Sequence, residues 1–297
     1  MRPTKSPTSN LGYFSDLRIP EGRKGKWRIA HSIEKRGTKL TVVSMRDALF
    51  QGKKSSSIPL DRDYLVHALL EDEQRWMSDC PQEIESQREQ LKRFKGTVLV
   101  GGLGLGYAAL TLDQNPNVKE VVVVERQQAV IDLVWSHLPL TKAVPIKADL
   151  FQYLKDIQGK RRFDYAYYDV WGPTGERVLI THVRPLRALS EGIVKQKNIE
   201  CWEEATMLGQ IHAHLRTLIE TWDMPPPFGG IKEMPEGQFQ KTARGSGTHW
   251  AFLNWMRQTK PSREEALRFM NHYVDTYSNL NKWGEVWDAW DAQETRR

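Results

Sequence analysis

The stretch Gly96-Thr-Val-Leu-Val-Gly-Gly-Leu-Gly-Leu-Gly-Tyr107 constrains this chain more than any other. Val98 to Val100 is an apolar run of strand length, and Gly101, Gly102, Gly104 and Gly106 follow it at once. Glycines at such a turn let the backbone take positive φ and let a ligand approach where a Cβ would otherwise stand. A helical pattern begins at Tyr107. A strand, a glycine turn and a helix N-terminus together form a nucleotide-binding corner. Any tight strand-to-helix turn also asks for glycine, so the weight comes from the segments downstream.

Three segments follow in order. Val121-Val-Val-Val-Glu125 is a second buried strand ending in an acid. Glu125 lies about twenty residues beyond the glycines, where a carboxylate accepts from ribose hydroxyls. Val144-Pro-Ile-Lys-Ala-Asp149 comes next, with a helical stretch from Leu150 to Lys155. Arg162-Phe-Asp-Tyr-Ala-Tyr-Tyr-Asp169 is a further strand ending in an acid, followed by Val-Trp-Gly-Pro173. Strands alternating with helices indicate a parallel sheet covered on both faces. Ligands bind such sheets at the carboxyl ends of the strands. Glu125, Asp149 and Asp169 all stand there and are expected to converge on one cleft.

The same residues admit other readings. Gly104-Leu-Gly-Tyr-Ala-Ala109 fits the dinucleotide pattern Gly-x-Gly-x-x-Ala, so a nicotinamide cofactor stays open at this point. Asp149 and Gln152 have capping-box spacing, and Asp149 can cap the helix after it as well as meet a ligand. Tyr167 and Tyr168 point to opposite faces of the sheet. Tyr168, Trp171 and Pro173 are candidates to line a substrate pocket, since a rigid aromatic surface suits a flat or cationic substrate. His212 and His214, two apart on a helix, face different directions and cannot chelate together, so no metal site is expected.

This order of segments resembles the class I S-adenosylmethionine-dependent methyltransferase fold, and within it the spermidine synthase (polyamine aminopropyltransferase) branch. The resemblance runs from about Lys39 to Trp202. It implies an α/β, Rossmann-like sheet with a small N-terminal β region and a helical C-terminal extension. It also implies that S-adenosylmethionine, or its decarboxylated form, is held by Gly101, Gly102, Gly104, Gly106, Glu125, Asp149 and Leu150. In that implied arrangement Glu125 binds the ribose, Asp149 the adenine amino group, and Asp169 is the catalytic acid, first of the family's Asp-x-x-Asp-Pro motif. A homodimer is a further expectation. Two departures bear on the substrate. Leu105 stands about where the aminopropyltransferases carry an Asp that grips the transferred chain, and Gly172 replaces the second Asp of the motif. Val100 stands where many methyltransferases carry an acid before the glycine loop.

At 297 residues the chain is long enough for a sizeable core. Its net charge of +6 permits an anionic partner without demanding one, so a small-molecule or a nucleic-acid acceptor is left undecided. Two cysteines, Cys80 and Cys201, make no disulfide framework and suggest a reduced, cytoplasmic protein. No apolar run reaches membrane-spanning length, and the N-terminus lacks a signal-peptide core.

Along the chain, residues 1–26 read as a basic flexible tail and 27–60 as a β region. Residues 61–256 read as the cofactor-binding domain and 257–297 as C-terminal helices. Helices are predicted over Asp61 to Met77, Gln82 to Phe94, Gly175 to Ala188, Glu203 to Trp222 and Ser262 to Asn279. Ile193 to Trp202 is expected to hold a fifth strand, and Gln238 to Arg244 and Thr248 to Met256 two closing strands. A Trp283, Trp287, Trp290 stripe suggests a last helix. Methyl transfer to an unspecified acceptor is the expected activity. Aminopropyl transfer and a non-catalytic nucleoside-binding module are the alternatives.

Overall fold

Alternation of buried and exposed side chains sets up the N-terminal sheet. The computed structural model describes residues 18–41, 57–172, 178–222, 232, 234–239 and 250–277. Strands β1 (Gly22–Lys24), β2 (Trp27–Glu34), β5 (Tyr64–Glu71) and β6 (Gln74–Ser78) form one antiparallel sheet in that order. The short strands β3 (Lys39–Thr41) and β4 (Ser57–Pro59) pair with each other. Trp27 and Ile29 on β2, and Tyr64, Val66 and Leu69 on β5, face inward. The helix expected over Asp61 to Met77 is therefore a β-hairpin. Leu65, Leu69 and Trp76 have helical spacing, but the two-residue alternation from Tyr64 wins. The tight turn that closes the hairpin holds Asp72 at φ 50°. The segment from Arg18 to Lys26, expected to belong to a flexible tail, is ordered here. Ile19 is fully buried, its N–H donates to His67, and β1 pairs with β2.

Helix α1 (Pro81–Leu91) leads into the parallel sheet, with Pro81 at a helix start where no N–H is needed. Next come β7 (Gly96–Gly101), α2 (Tyr107–Gln114), β8 (Val118–Glu125), α3 (Gln128–Val134), β9 (Ala143–Lys147), α4 (Leu150–Asp156) and β10 (Tyr165–Tyr168). The last strand among the described residues is β11 (Ile199–Cys201), shorter than the expected Ile193 to Trp202 because Gln196–Asn198 forms a tight helical turn. All five strands are parallel, in the order β11-β10-β7-β8-β9. This is a doubly wound, Rossmann-like sheet of the class I methyltransferase kind, with its switch point between β7 and β10. Val121 to Val124 are buried on both faces, as a covered parallel strand requires.

Two devices hold this sheet. Asp113, buried near the end of α2, accepts the backbone N–H groups of Thr141, Lys142 and Ala143 at 2.6–3.1 Å, fixing the entry to β9. Ala148 N–H donates to the backbone carbonyl of Glu125 at the far end of β9. By two-residue alternation, Val144 and Ile146 point the same way, so Pro145 lies on the outer side of a strand that is an edge among the described residues.

Gly106 ends the glycine turn at φ 85°, and a Cβ there would run into the side chain of Leu138. Gly106→Ala is expected to cost about 1–3 kcal/mol, since it adds left-handed strain to a clash. A urea-denaturation midpoint equal to wild type would show that the turn relaxes freely.

The chain divides into two compact units, Met1–Pro173 with Leu189–Trp202, and Thr174–Ala188 with Glu203–Arg297. In the second, a π-helical turn (Leu179–Val183) runs into α5 (Arg184–Leu189). Helix α6 (Glu204–Thr221) buries Met207, Ile211, Leu215 and Ile219, the stripe the sequence predicts. Helices α7 (Trp250–Thr259) and α8 (Arg263–Tyr277) follow among the described residues. Arg187 grips Glu204 through two hydrogen bonds of 2.9 and 2.6 Å. Trp255 and Phe269 pack with ring centres 4.2 Å apart. The strand expected over Thr248 to Met256 is instead helical from Trp250. Phe252, Leu253 and Met256 are buried at helical spacing, which overrides the β-preference of the aromatics. Within the other expected strand, Gln238 and Phe239 lie in a helical turn, and the rest of that segment lies outside the described residues. The Trp283, Trp287, Trp290 stripe also lies outside them.

Candidate functional site

The carboxyl ends of β7 and β10 meet at the switch point, and the glycine turn is built against them. Gly102 N–H donates to Val124 O at 2.9 Å, and Asp169 N–H donates to Gly101 O at 2.9 Å. Gly102 (φ 92°) lies so close to the Asp169 carbonyl that a Cβ there would overlap it. Gly102 and Gly104 are partly open to solvent, while Leu103 and Leu105 turn into the core. The loop thus offers backbone to the cleft and side chains to the interior.

Glu125 is tied to this loop. Its Oε2 accepts Leu103 N–H at 3.0 Å and its Oε1 accepts Gln127 N–H at 2.6 Å. A carboxylate oxygen can accept more than one hydrogen bond, so both oxygens keep capacity for hydroxyl donors. Glu125 is only partly buried, which leaves that capacity accessible. Asp149 caps α4, with Oδ1 accepting Gln152 N–H at 3.2 Å. Leu150 is buried, and its side chain packs under Gly101 at the position a Cβ there would need. Asp169 follows β10 and stays partly exposed beside Gly102.

The pocket residues divide. Tyr168 is fully buried, and its hydroxyl meets Ser190 Oγ at 2.7 Å. Trp171 is buried too, at 5% exposure. Pro173 lies outside the described residues. Leu105, set against the substrate-gripping Asp of the aminopropyltransferases, is fully buried. An aspartate there would be an unpaired charge in the core, not a hand in the cleft.

Sequence reasoning missed the contribution of the N-terminal hairpin. The Met77 side chain lies over Gly104, filling the place of a Cβ there, and its Sδ accepts Leu105 N–H at 3.2 Å. Trp76 stands 4.0 Å from where a Cβ of Gly172 would be, and its Nε1 donates to Glu71 at 2.8 Å. The signal for this was the alternation from Tyr64, obscured by the helical spacing of the larger side chains.

A second polar cluster sits beside β6. His67 Nε2 accepts Ile19 N–H at 3.3 Å, so Nδ1 carries the proton and donates to Asp79 Oδ2 at 2.6 Å. Both side chains are buried. Glu83 is pushed above the ordinary carboxyl range by burial, with hydrogen bonds from Ser78 working against the rise. On α6, His212 Nε2 meets Asn271 Oδ1 at 3.2 Å. Among the described residues no group of three His, Cys, Asp or Glu side chains has a metal-holding arrangement, and no helix is long and apolar enough to cross a membrane.

No protein-family model and no curated protein matches the chain. Solved structures do. Spermidine synthase from Thermotoga maritima is 16% identical over 60% of this chain and 53% of its own, with a TM-score of 0.35. Human methyltransferase-like protein 13, solved with SAH, is 16% identical over 44% of this chain and 65% of its own, with a TM-score of 0.31. Precorrin 8w decarboxylase from Methanobacterium thermoautotrophicum is 19% identical over 35% of this chain and 53% of its own, with a TM-score of 0.27. The chain thus spans about half to two thirds of each. Its own strand order is what places it in this fold class.

Proposed function

We propose that the chain is an S-adenosylmethionine-dependent methyltransferase whose acceptor is unspecified. The observation that supports this reading is Glu125, held by two backbone amides at the carboxyl end of β8 and still partly exposed. A site for an adenosyl group needs such an acid for the ribose, an open glycine backbone and an acceptor for the adenine amine. Glu125, the partly exposed Gly102 and the second oxygen of Asp149 fit those needs, and Gly104 does once the Met77 side chain over it moves away.

S-adenosylmethionine, when bound, supplies a methyl carbon already made electrophilic by its sulfonium. The chain's own residues then have modest tasks. Glu125 accepts the ribose hydroxyls, and Asp149 accepts the exocyclic amine while still capping α4. Leu150 supports the strand end beneath Gly101. Asp169, next to the loop, orients an amine or hydroxyl nucleophile and takes its proton. Holding the nucleophile in line and excluding water supplies most of the acceleration such a reaction needs.

Aminopropyl transfer is the weaker reading. The chain lacks an acid at Gly172, and the buried Leu105 offers no place for the other. Parallel calorimetric titrations with S-adenosylmethionine, S-adenosylhomocysteine, decarboxylated S-adenosylmethionine and NAD test the proposal. Preference for the first two is expected. Preference for the decarboxylated form would move the assignment to aminopropyl transfer, and binding of NAD alone would replace the cofactor.

A further inference from the structure

We infer that Met77 is a built-in competitor for the cofactor's place on the glycine loop, and so sets how tightly that loop binds. The inference rests on the cofactor reading above. Glycine at 104 clears space in front of the backbone, yet the thioether of Met77 fills it and takes the Leu105 N–H. The contact joins two separate parts of the fold, the end of β6 and the turn after β7. Its anchor is firm on the hairpin side. Two residues on, Asp79 accepts the backbone N–H of His67 at 2.6 Å and pairs with its ring, both buried. The backbone under Met77 is fixed while its side chain is partly exposed.

The chemistry favours exchange. Thioether sulfur is a weak acceptor, and a carboxylate or hydroxyl oxygen takes an amide N–H more strongly. Methionine turns about three side-chain bonds, and Met77 is only partly buried, so it can take another rotamer. A cofactor that covers Gly104 must displace it, and the lost sulfur contact is subtracted from the cofactor's own affinity. Met77 is thus a gating residue and not a catalytic one.

The tests are Met77→Leu, which keeps the volume without the acceptor, and Met77→Ala, which removes both. In both, the Leu105 amide should exchange its hydrogen faster than in wild type without any ligand present. Titrated with S-adenosylhomocysteine, Met77→Ala should bind about three- to tenfold tighter, the worth of one modest hydrogen bond, and Met77→Leu should fall between it and wild type. In wild-type protein carrying 13C-labelled methionine methyls, the ligand should move the Met77 signal most. Unchanged amide exchange would remove the sulfur contact itself. Wild-type binding with equal or weaker binding in both variants would overturn the competition and leave the cofactor reading standing. No binding by any of the three proteins would overturn both.

Discussion

Glu125→Ala should lose about a hundredfold in affinity for S-adenosylhomocysteine and about 2 kcal/mol in stability. Both losses come from one carboxylate. Its two oxygens hold Leu103 N–H and Gln127 N–H; hydrogen bonds to a charged acceptor are worth about 1.5–3 kcal/mol each, and at this partly exposed position water recovers part of the loss. Removing them frees the glycine loop at Leu103 and the start of α3 at Gln127. The ribose loses its acceptor at the same time, and about 2.7 kcal/mol of lost binding is a hundredfold. Glu125→Gln separates the two effects. The amide keeps one oxygen acceptor but sets a donor against a donor at the other position, so it should bind weakly while folding better than the alanine variant. Calorimetric titration beside urea denaturation reads both. Full affinity in Glu125→Ala would take the ribose away from Glu125 and with it the main support for the proposed function.

Asp113→Ala should cost about 3–5 kcal/mol of stability and leave the cleft residues in place. Burial acts to raise the Asp113 carboxyl, but N–H donation from Lys142, Thr141 and Ala143, with the Thr141 hydroxyl, outweighs it and holds the group below the ordinary carboxylate range. Alanine would leave that row of N–H groups without an acceptor beside the sheet, which is the expensive way to lose a hydrogen bond. The pH dependence follows from the direction of the shift. The carboxyl is held lower when folded than when unfolded, so its contribution is complete above the unfolded value of about 3.9. It disappears as pH falls through the lower folded value. The gap in stability between wild type and Asp113→Asn, which has no charge to lose, should therefore be flat near neutrality and shrink below about pH 4. A constant gap down to acid unfolding would mean that the carboxylate's charge adds nothing at this joint.

Much of the parallel sheet is legible in the chain because its strands are short apolar runs with nothing polar to hide them. Val121 to Val124 has no alternative face to present, and the acid after it falls at a strand end as expected. Asp149 was readable as a cap for a local reason, since an Asp with Gln152 three residues on is a helix-start pattern. The hairpin around Asp72 was not. Leu65, Leu69 and Trp76 satisfy a helix stripe, and only pairing with β2, a long-range fact, decides for the strand. The same holds at Trp250–Thr259, where packing of Phe252 against Phe269, at 5.7 Å, selects the helix. Glu125, Asp149 and Asp169 fall at or just beyond strand ends, where their spacing in the sequence set them. The contact of Met77 with Gly104 was not legible, because it spans 27 residues of chain.

Pro145 has a meaning for the protein's behaviour in a crowded solution. On the outer side of β9 it presents no N–H, and Lys147 beyond it carries a charge. A second strand approaching this rim would find its ladder broken at the centre and would have to bury an ammonium group beside the gap. Val144, 44% exposed on the same strand, would otherwise invite such an approach. One imino acid at this margin of the described strands discourages a further strand from joining a sheet with so apolar an interior.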